Sequence, residues 1–375
     1  MQASPTAALV SVPGFVDHHA HLLRDAAGVA FPATAQAVRE FHYRVADEGR
    51  TPMDVLDPPG DLAEPALGAR LMAGLSRAAA AGLVEVTEMG LRSWAFLDAL
   101  TVQQAAGPLP CRVRIYVASG LADETSPADL DQRRADCGPW VRLEGIKFYA
   151  DGWLVPRTCA LCQDFADAPG NGVLFADTLT LANRISPLAE RGWRIATHAI
   201  GDRAVETVLD AYDLVFGRDA AAMAAAAPRI EHASLLSAEL IARMASSGVV
   251  ACIQPSFALT DTAELDPALG SERATRAYPW AELARAGVAM LAGTDYPIEV
   301  LDPLPSLARL VNGWSRRSGF TGGAAPDQAR LPASTAFALM TDPAAGETML
   351  SADPRAVPAA DIDSIAVAGT RPVPF

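Results

Sequence analysis

Four of the six histidines in this 375-residue sequence lie at the ends of short apolar segments. His19 and His21, the first histidine pair, are two positions apart, so both side chains point to one face and can chelate one ion. His198 and His232, the second histidine pair, end two successive segments and can hold a second ion. A lone histidine at such a place is more often an ordinary hydrogen-bonded residue, but four together favour a metal site, and imidazole suits zinc and similar metals.

Lys147 and Asp295 end two further apolar segments. A lysine ammonium repels cations, so Lys147 fits among metal ligands only if its amine has reacted with CO₂ to give a carbamate, an anion able to bridge two metals. Asp295 can bind metal and can also take the proton from a metal-activated water. We predict that both residues are metal ligands and catalytic. The alternatives are a plain lysine that pairs with substrate or with an aspartate, and an aspartate that caps a helix.

Eight short apolar, β-branched segments position these residues, and stretches with helical spacing of apolar residues separate most of them. The segments lie at about 9–21, 82–90, 112–120, 144–152, 193–202, 229–234, 248–256 and 287–297. This alternation implies a parallel sheet, and continuous apolar strands imply burial on both faces. Eight such units predict an α/β fold of the (β/α)₈ TIM-barrel type, with the active site at the carboxyl ends of the strands.

The predicted barrel covers residues 9–340, with loop or lid insertions at 22–80 and 257–280. The first insertion contains a Pro-Pro-Gly sequence and is expected to be irregular. Residues 341–375 are predicted to be a short C-terminal extension, so that the termini contribute a reduced β portion outside the barrel.

The composition narrows the classes of partner. Thirty Lys and Arg residues stand against 44 Asp and Glu, a net charge of −14, which disfavours nucleic acid and anionic membrane surfaces. The N-terminus lacks the pattern of a signal peptide, and no apolar run is long enough to span a membrane. Five irregularly spaced cysteines favour free thiols in a reducing compartment. We therefore expect a cytoplasmic enzyme acting on a small molecule, with homo-oligomerisation left open.

The motifs around the candidate ligands resemble a known family. The sequence PGFVDHHAH at 13–21 resembles the opening motif of the metal-dependent amidohydrolase superfamily. Five further sequences resemble one group of this superfamily, the amidohydrolase 3 or YtcJ-like group, which includes N-substituted formamide deformylases. They are GIKFYADGWLVPRTCAL (145–161), HAIGDRAVETVLDAY (198–212), RIEHASLL (229–236), QPS (254–256) and AGTDYPIEVLDPL (292–304). It extends from about residue 12 to 312 and weakly to 345.

The resemblance implies a centre of one or two divalent ions, often zinc, and a hydrolase of amide-type C–N or related bonds. The first histidine pair would bind the more buried ion and the second pair the other. Lys147 would be the carboxylated bridge, and Asp295 would be both ligand and proton shuttle. The sequence departs from the group in its short β portions before Pro13 and after the barrel, which help to shape the pocket.

Three residues are candidates for substrate binding. Trp153 and Arg157 follow the fourth segment and are expected to line the pocket. Arg157 would pair with a substrate carboxylate, or else form an ion pair with Asp151 or Asp202. His18 occupies the position where the group usually has a small residue, although strand alternation points it to the opposite face from the first histidine pair.

Two other functions remain open at this point. A mononuclear deaminase or lyase on the same barrel would not need Lys147 as a ligand. A noncatalytic accessory protein would explain the reduced β portion, but the complete ligand set argues against it. Glu88, which ends the second segment, is interpreted as structural.

Overall fold

The computed structural model describes residues 9–29, 34–56, 66–217, 220–315 and 325–375. The strands are β1 (Val10–Ala20), β2 (Leu83–Leu91), β3 (Arg112–Ala118), β4 (Val141–Tyr149), β5 (Arg194–Ala199), β6 (Arg229–His232), β7 (Val250–Ile253), β8 (Ala289–Ala292), β9 (Thr341–Leu350) and β10 (Val367–Pro372). The helices are α1 (Leu22–Ala26), α2 (Ala35–Asp47), α3 (Ala66–Ala80), α4 (Trp94–Ala106), α5 (Ser119–Asp123), α6 (Pro127–Ala135), α7 (Thr178–Ala189), α8 (Asp202–Phe216), α9 (Ala220–Ala226), α10 (Ala238–Ser247), α11 (Phe257–Thr260), α12 (Thr262–Leu269), α13 (Ser271–Ala274), α14 (Trp280–Ala286), α15 (Pro303–Asn312) and α16 (Ala333–Ala338).

Strands β1 to β8 pair in sequence order, each parallel to the next. The chain after β8 returns to β1, where the Asp295 N–H donates to the His19 carbonyl at 2.6 Å and the His21 N–H donates to the Tyr296 carbonyl at 2.7 Å. Gly293 is required at this junction because a Cβ there would overlap the backbone nitrogen of His19. The result is a TIM-barrel-like α/β fold, as the alternation of segments predicted.

Strands β9 and β10 make the sheet mixed. β9 pairs antiparallel with β1, with Val10 opposite Leu350, and β10 pairs antiparallel with β9. The first residues of β1 therefore extend below the parallel part of the sheet to meet the C-terminal strands. β9 and β10 thus extend the sheet beside β1, while the interpretation of these strands as a reduced β portion stays a prediction.

Apolar periodicity explains how helices cover the sheet. All nine residues of β2 are buried. In α8, Val205, Val208, Leu209 and Tyr212 recur at helical spacing and are buried on one face. The Tyr212 hydroxyl donates to the Arg229 carbonyl at 2.8 Å, which ties α8 to the start of β6. The helix thereby supports a strand that carries one of the candidate ligands.

The stretch 22–80, expected to be irregular, is helical over much of its described length. It contains α1, α2, α3 and a single helical turn, Pro52–Asp54. Thr34 caps α2 with its hydroxyl, and Val38, His42 and Val45 form its buried face. The stretch 257–280 likewise contains the short helices α11 to α13. A helical spacing of buried residues decides the structure of the described parts, and the Pro-Pro-Gly sequence at 58–60 lies outside the described residues.

The five cysteines are free thiols, with Cys162 exposed to solvent. Within the described ranges, none of the helices combines the length and apolar character needed to cross a bilayer.

Candidate metal centre

The carboxyl ends of the parallel strands bring the four predicted histidines together. The ring centroids of His19 and His21 are 5.6 Å apart, and those of His19 and His232 are 5.0 Å apart. The second pair, His198 and His232, is closer still, at 4.4 Å. Strand register explains this proximity, because Ala199, next to His198, lies opposite His232 in the parallel β5–β6 ladder. All four rings are buried.

His19, His21 and Asp295 form the first part of the centre. The Nε2 atoms of His19 and His21 lie 3.4 and 3.1 Å from Asp295 Oδ1, and the three potential ligand atoms lie within 4.8 Å of one another. His19 Nδ1 is 2.6 Å from Glu231 Oε2. With its proton on Nδ1, His19 donates to that carboxylate and keeps the Nε2 lone pair for a metal. The donor set fits a divalent ion of the zinc type.

His198, His232 and Lys147 form the second part. His198 Nε2 lies 3.0 Å from the Gly152 carbonyl, which holds a proton on Nε2 and leaves Nδ1 as the acceptor. His198 Nδ1 and Lys147 Nζ are buried and have no hydrogen-bond partner within the described part of the chain, and the ring nitrogens of His232 have none in hydrogen-bonding geometry. Buried polar atoms are rarely left unsatisfied, so this cluster of orphaned nitrogens fits a second ion.

Burial sets the protonation states of the cluster. Desolvation lowers the pKa of His19, His21, His198 and His232, which keeps the imidazoles neutral and able to ligate. Burial also lowers the pKa of Lys147 to about 8, although the charges of Glu231 and Asp295 oppose the shift. This shift favours the neutral amine, which is the form that reacts with CO₂.

The backbone is strained at two of the candidate ligands. His232 has a φ of 76° and Asp295 a φ of 58°, both in the left-handed region that residues other than glycine seldom adopt. Ala233, next to His232, also has a positive φ, of 47°. Such conformations cluster at functional sites because the surrounding structure must hold them there.

Glu231 and Asp17 contribute to the centre and were missed by the sequence reasoning. Glu231 is fully buried beneath His19. Asp17 accepts the backbone N–H groups of His19 and Thr294, both at 3.0 Å, and so joins β1 to the end of β8. Their positions in the sequence could have indicated a role at the site, because Glu231 immediately precedes His232 and Asp17 lies two positions before His19.

Arg157 lies away from the substrate side of the site. Its guanidinium pairs with Asp167 at 2.6 Å and with Glu264 at 2.8 Å. The predicted ion-pair partners, Asp151 and Asp202, are therefore wrong. Asp151 instead accepts backbone N–H groups from the turn after β5, and Asp202 accepts the backbone N–H at the start of its own helix. The loop after β4 directs the guanidinium toward Asp167 and Glu264 instead.

Of the other two residues predicted to bind substrate, Trp153 lines a cavity and His18 does not. Trp153 lines the cavities that open beside the centre. His18 is not among the described residues that line them, and its carbonyl accepts from Arg229 Nη2 at 2.8 Å. Burial, with the charges of Arg229 and Arg114, lowers the pKa of His18 to about 3. A role for His18 in binding substrate stays a prediction without support from this geometry.

Two chambers adjoin the centre. The larger has a volume of about 640 Å³ and is bordered by His232, and the smaller has a volume of about 310 Å³ and is bordered by His21. They share four lining residues, Val38, Trp153, Asp295 and Ile298. Asp295 is thus the ionisable group common to both chambers within the described residues.

A TIM-barrel-like sheet that gathers imidazole and carboxylate groups at its strand ends defines a barrel protein with a donor set that could hold a metal ion. The chain belongs to the amidohydrolase family, whose model matches residues 45–351, and within it to the YtcJ-like group. This confirms the resemblance drawn from the motifs.

Two curated relatives are similar over part of their length. The putative amidohydrolase YtcJ of Bacillus subtilis is 32% identical over 243 residues, which is 64% of this chain and 44% of that protein. The protein LONG AFTER FAR-RED 3 of Arabidopsis thaliana is 32% identical over 186 residues, 48% of this chain and 31% of that protein. The matched regions thus span less than half of these relatives.

Solved structures share the fold. An uncharacterised metal-dependent hydrolase from Pyrococcus horikoshii aligns with a TM-score of 0.69 at 21% identity, over 94% of this chain and 88% of the other. A second one, from Pyrococcus furiosus, aligns with a TM-score of 0.65 at 22% identity, over 96% and 85%.

Proposed function

We propose that this protein is a metal-dependent hydrolase that cleaves an amide-type C–N bond of a small molecule, such as an amide or formamide, on a closed (β/α)₈ barrel. The observation that carries the proposal is the convergence of His19 Nε2 and His21 Nε2 on Asp295 Oδ1, at 3.4 and 3.1 Å. The family membership and the similarity to a putative amidohydrolase and to metal-dependent hydrolases support it. A chamber of about 640 Å³ is of the size that holds a small-molecule substrate.

The donor set favours two divalent ions, with zinc as the metal. His19, His21 and Asp295 would hold one ion, and the second histidine pair the other. Lys147 would bridge the two after carboxylation. Its neutral amine forms an N–C bond to CO₂, a proton leaves to solvent, and the side chain changes from a cation into an anionic oxygen donor. The buried, unpartnered Nζ supports this assignment.

Bound ions would supply Lewis acidity, activating water as the nucleophile and polarising the substrate carbonyl. Asp295 has the place required of the proton carrier, because it borders both chambers and faces the imidazole nitrogens. We assign it to accept the proton of the attacking water and to donate it to the departing amine. Trp153 would position the substrate from the wall that the chambers share.

A mononuclear deaminase or lyase is the second candidate. His19, His21 and Asp295 already bring three ligand atoms within 4.8 Å of one another without Lys147. Such an enzyme would use the first site alone, with Lys147 as an ordinary amine.

Metal stoichiometry and a substrate screen together test the proposal. The protein is purified without chelator in the presence of bicarbonate, and its metals are counted by elemental analysis. Formamides, N-acyl amines, carbamates and esters are then offered as substrates. About two ions per chain with turnover of an amide-type compound is the expected result. About one ion would favour the mononuclear enzyme, and metal without turnover of any compound would favour a noncatalytic role.

A further inference from the structure

The two chambers beside Asp295 differ in charge. Among the described residues that line the larger chamber there is no lysine or arginine, whereas Asp261 and Glu299 add carboxylates. The smaller chamber is lined by two half-buried arginines, Arg24 and Arg92. Apart from the shared Asp295, the charged side chains that line the described walls are thus carboxylates in the larger chamber and guanidinium groups in the smaller one.

The larger chamber suits an apolar group. Phe257, Tyr278 and Ile298 contribute apolar surface to its wall. The Asp261 carboxylate accepts the Tyr278 hydroxyl at 2.5 Å, and Glu299 accepts the Thr260 hydroxyl at 2.8 Å. These carboxylates are already hydrogen-bonded within the wall, so their main effect on a ligand is to disfavour an anion.

The smaller chamber places two guanidinium groups close to the first metal position. Arg24 lies in α1, three residues beyond His21, and Arg92 directly follows β2 and donates to the Val55 carbonyl at 3.1 Å. The charge of Arg92 acts on His21, and those of Arg92 and Arg24 both act on Tyr149, so the field of the arginines extends to the centre.

Among the described residues, the carboxylate of Glu88 lies in the same region as the two arginines. Glu88 lies with Oε2 2.8 Å from the Leu23 N–H, which donates to it, and with Oε1 4.0 Å from His21 Nδ1. Glu88 is fully buried and does not line the smaller chamber, whereas both arginines do. Besides Asp295, the two arginines are therefore the charged side chains that the described wall of the smaller chamber offers to a ligand.

Resting on the proposed amide hydrolysis, we propose that the substrate is an amphiphilic amide, with a carboxylate on one side of the scissile C–N bond and an apolar group on the other. Arg24 and Arg92 bind the carboxylate in the smaller chamber, and the larger chamber takes the apolar group. Guanidinium suits this task because it stays charged and offers paired donors that match a carboxylate. The proposal assigns anion recognition to these two arginines and not to Arg157, for which the sequence left a substrate carboxylate and an ion pair as alternatives.

Matched pairs of amides test the proposal in both orientations. In the first pair, N-(phenylacetyl)glycine is compared with N-ethyl phenylacetamide, which lacks the carboxylate on the amine side. In the second pair, N-benzylsuccinamic acid is compared with N-benzylbutanamide, which lacks it on the acyl side. The metal-loaded enzyme, Arg24→Gln, Arg92→Gln and Arg92→Lys are assayed for kcat/KM. Arg157→Gln serves as the control, because it also removes a guanidinium but lies outside both chambers.

The expected result is a preference of about tenfold or more for the acid over its neutral twin in at least one pair, the range that a hydrogen bond to a charged group provides. Arg24→Gln and Arg92→Gln should abolish that preference through KM, Arg92→Lys should keep part of it, and Arg157→Gln should leave it unchanged. Equal or better turnover of the neutral twins by the wild-type enzyme overturns the proposal, as does an equal loss on both members of a pair. The ratio of kcat/KM for an acid to that for its neutral twin, measured on the wild-type enzyme, tests the proposal even if a variant does not fold.

Failure of the proposed amide hydrolysis can be distinguished from failure of the charge assignment. If the loaded enzyme hydrolyses none of the four amides, the same compounds are titrated into it by calorimetry. Tighter binding of the acids than of their twins, lost in Arg92→Gln and kept in Arg157→Gln, supports the charge assignment of the chambers without the hydrolase. Binding without preference for the acids, or no binding, overturns it.

Discussion

Glu231 Oε2 accepts a hydrogen bond from His19 Nδ1 at 2.6 Å, while Arg229 holds the same carboxylate from the other side. Arg229 Nε donates to Oε1 at 2.7 Å and Nη2 donates to Oε2 at 3.0 Å. Burial opposes ionisation of Glu231, but the charges of Arg229 and Lys147 keep its pKa below the usual range. The carboxylate is therefore an ionised acceptor that orients the His19 ring and directs Nε2 toward Asp295.

Replacement of Glu231 by glutamine should weaken metal binding about 10- to 100-fold, the usual cost of losing a partner behind a metal ligand. The glutamine amide can donate to Nδ1 of His19, which favours the tautomer whose Nε2 carries the proton. Zinc affinity is measured by competition with a chromophoric chelator. Glu144→Gln is the control, since Glu144 pairs with Arg114 and Arg194 away from the histidines. Equal zinc affinity of Glu231→Gln and wild type would contradict the tautomer argument.

Lys147→Ala should halve the metal content, from about two ions to one per chain, because the bridge between them is lost. Lys147 is the only lysine in the sequence, so isotopic labelling reports on this site alone. In protein equilibrated with ¹³C-bicarbonate, the carbon spectrum should show a side-chain carbamate that is absent from the variant. The N-terminal amine can also form a carbamate, and its signal is identified because it remains in the spectrum of Lys147→Ala. Unchanged metal content and no carbamate signal would favour the mononuclear enzyme.

Asp295→Asn should keep most of the bound metal and lower kcat about 10²- to 10⁴-fold, the range of general acid–base catalysis. The amide oxygen of asparagine can still face His19 and His21, but it cannot accept and return a proton at neutral pH. Metal content and kcat are measured on the same preparation, with the substrate found in the screen. A variant with the wild-type rate would remove Asp295 from the proton-transfer role.

The dependence of stability on pH should contain a contribution from His42. Its Nδ1 lies 2.8 Å from Thr158 Oγ1, its ring packs edge-on against Trp153 and Phe175, and burial lowers its pKa to about 4. The unfolded chain binds this proton near pH 6.5, so the free energy of unfolding should fall as pH falls from about 6.5 to 4, by up to about 3 kcal/mol.

Urea unfolding of wild type and His42→Gln at pH 7, 6 and 5 measures this contribution. The variant loses ring packing and should be less stable at pH 7, but its stability should decline less steeply toward pH 5. Chelator-treated protein is used for both, so that metal release does not differ between them. Parallel pH dependences would mean that His42 does not carry the proton linkage.

Much of the ligand set was predictable because it depends on local pattern. A buried parallel strand gives a short apolar run, and a polar residue at its carboxyl end, such as His198 or Asp295, is marked by position alone. The spacing of His19 and His21 follows from the two-residue period of a strand. The helices of 22–80 were missed because the Pro-Pro-Gly sequence outweighed a helical spacing of apolar residues around Val38.

The partners behind and around the ligands were not predictable in the same way. Glu231 was passed over although it adjoins His232, because only the tertiary structure shows that it lies beneath His19. For Arg157 the sequence left open a substrate carboxylate or an ion pair with Asp151 or Asp202. The guanidinium instead pairs with Asp167 and with Glu264, which is 107 residues away in the chain. Sequence distance carries little information on which ion pairs form between loops.

The amino-acid sequence by itself determined the alternation of strands and helices, the family, and the residues placed at the strand ends, because each depends on periodicity or on a contiguous motif. The tertiary structure alone decided which atoms face one another: the Nε2 atoms of His19 and His21 toward Asp295, and the arginines of the smaller chamber against the carboxylates of the larger one. These relationships arise where loops from different strands converge, and their geometry depends on packing between segments far apart in the chain.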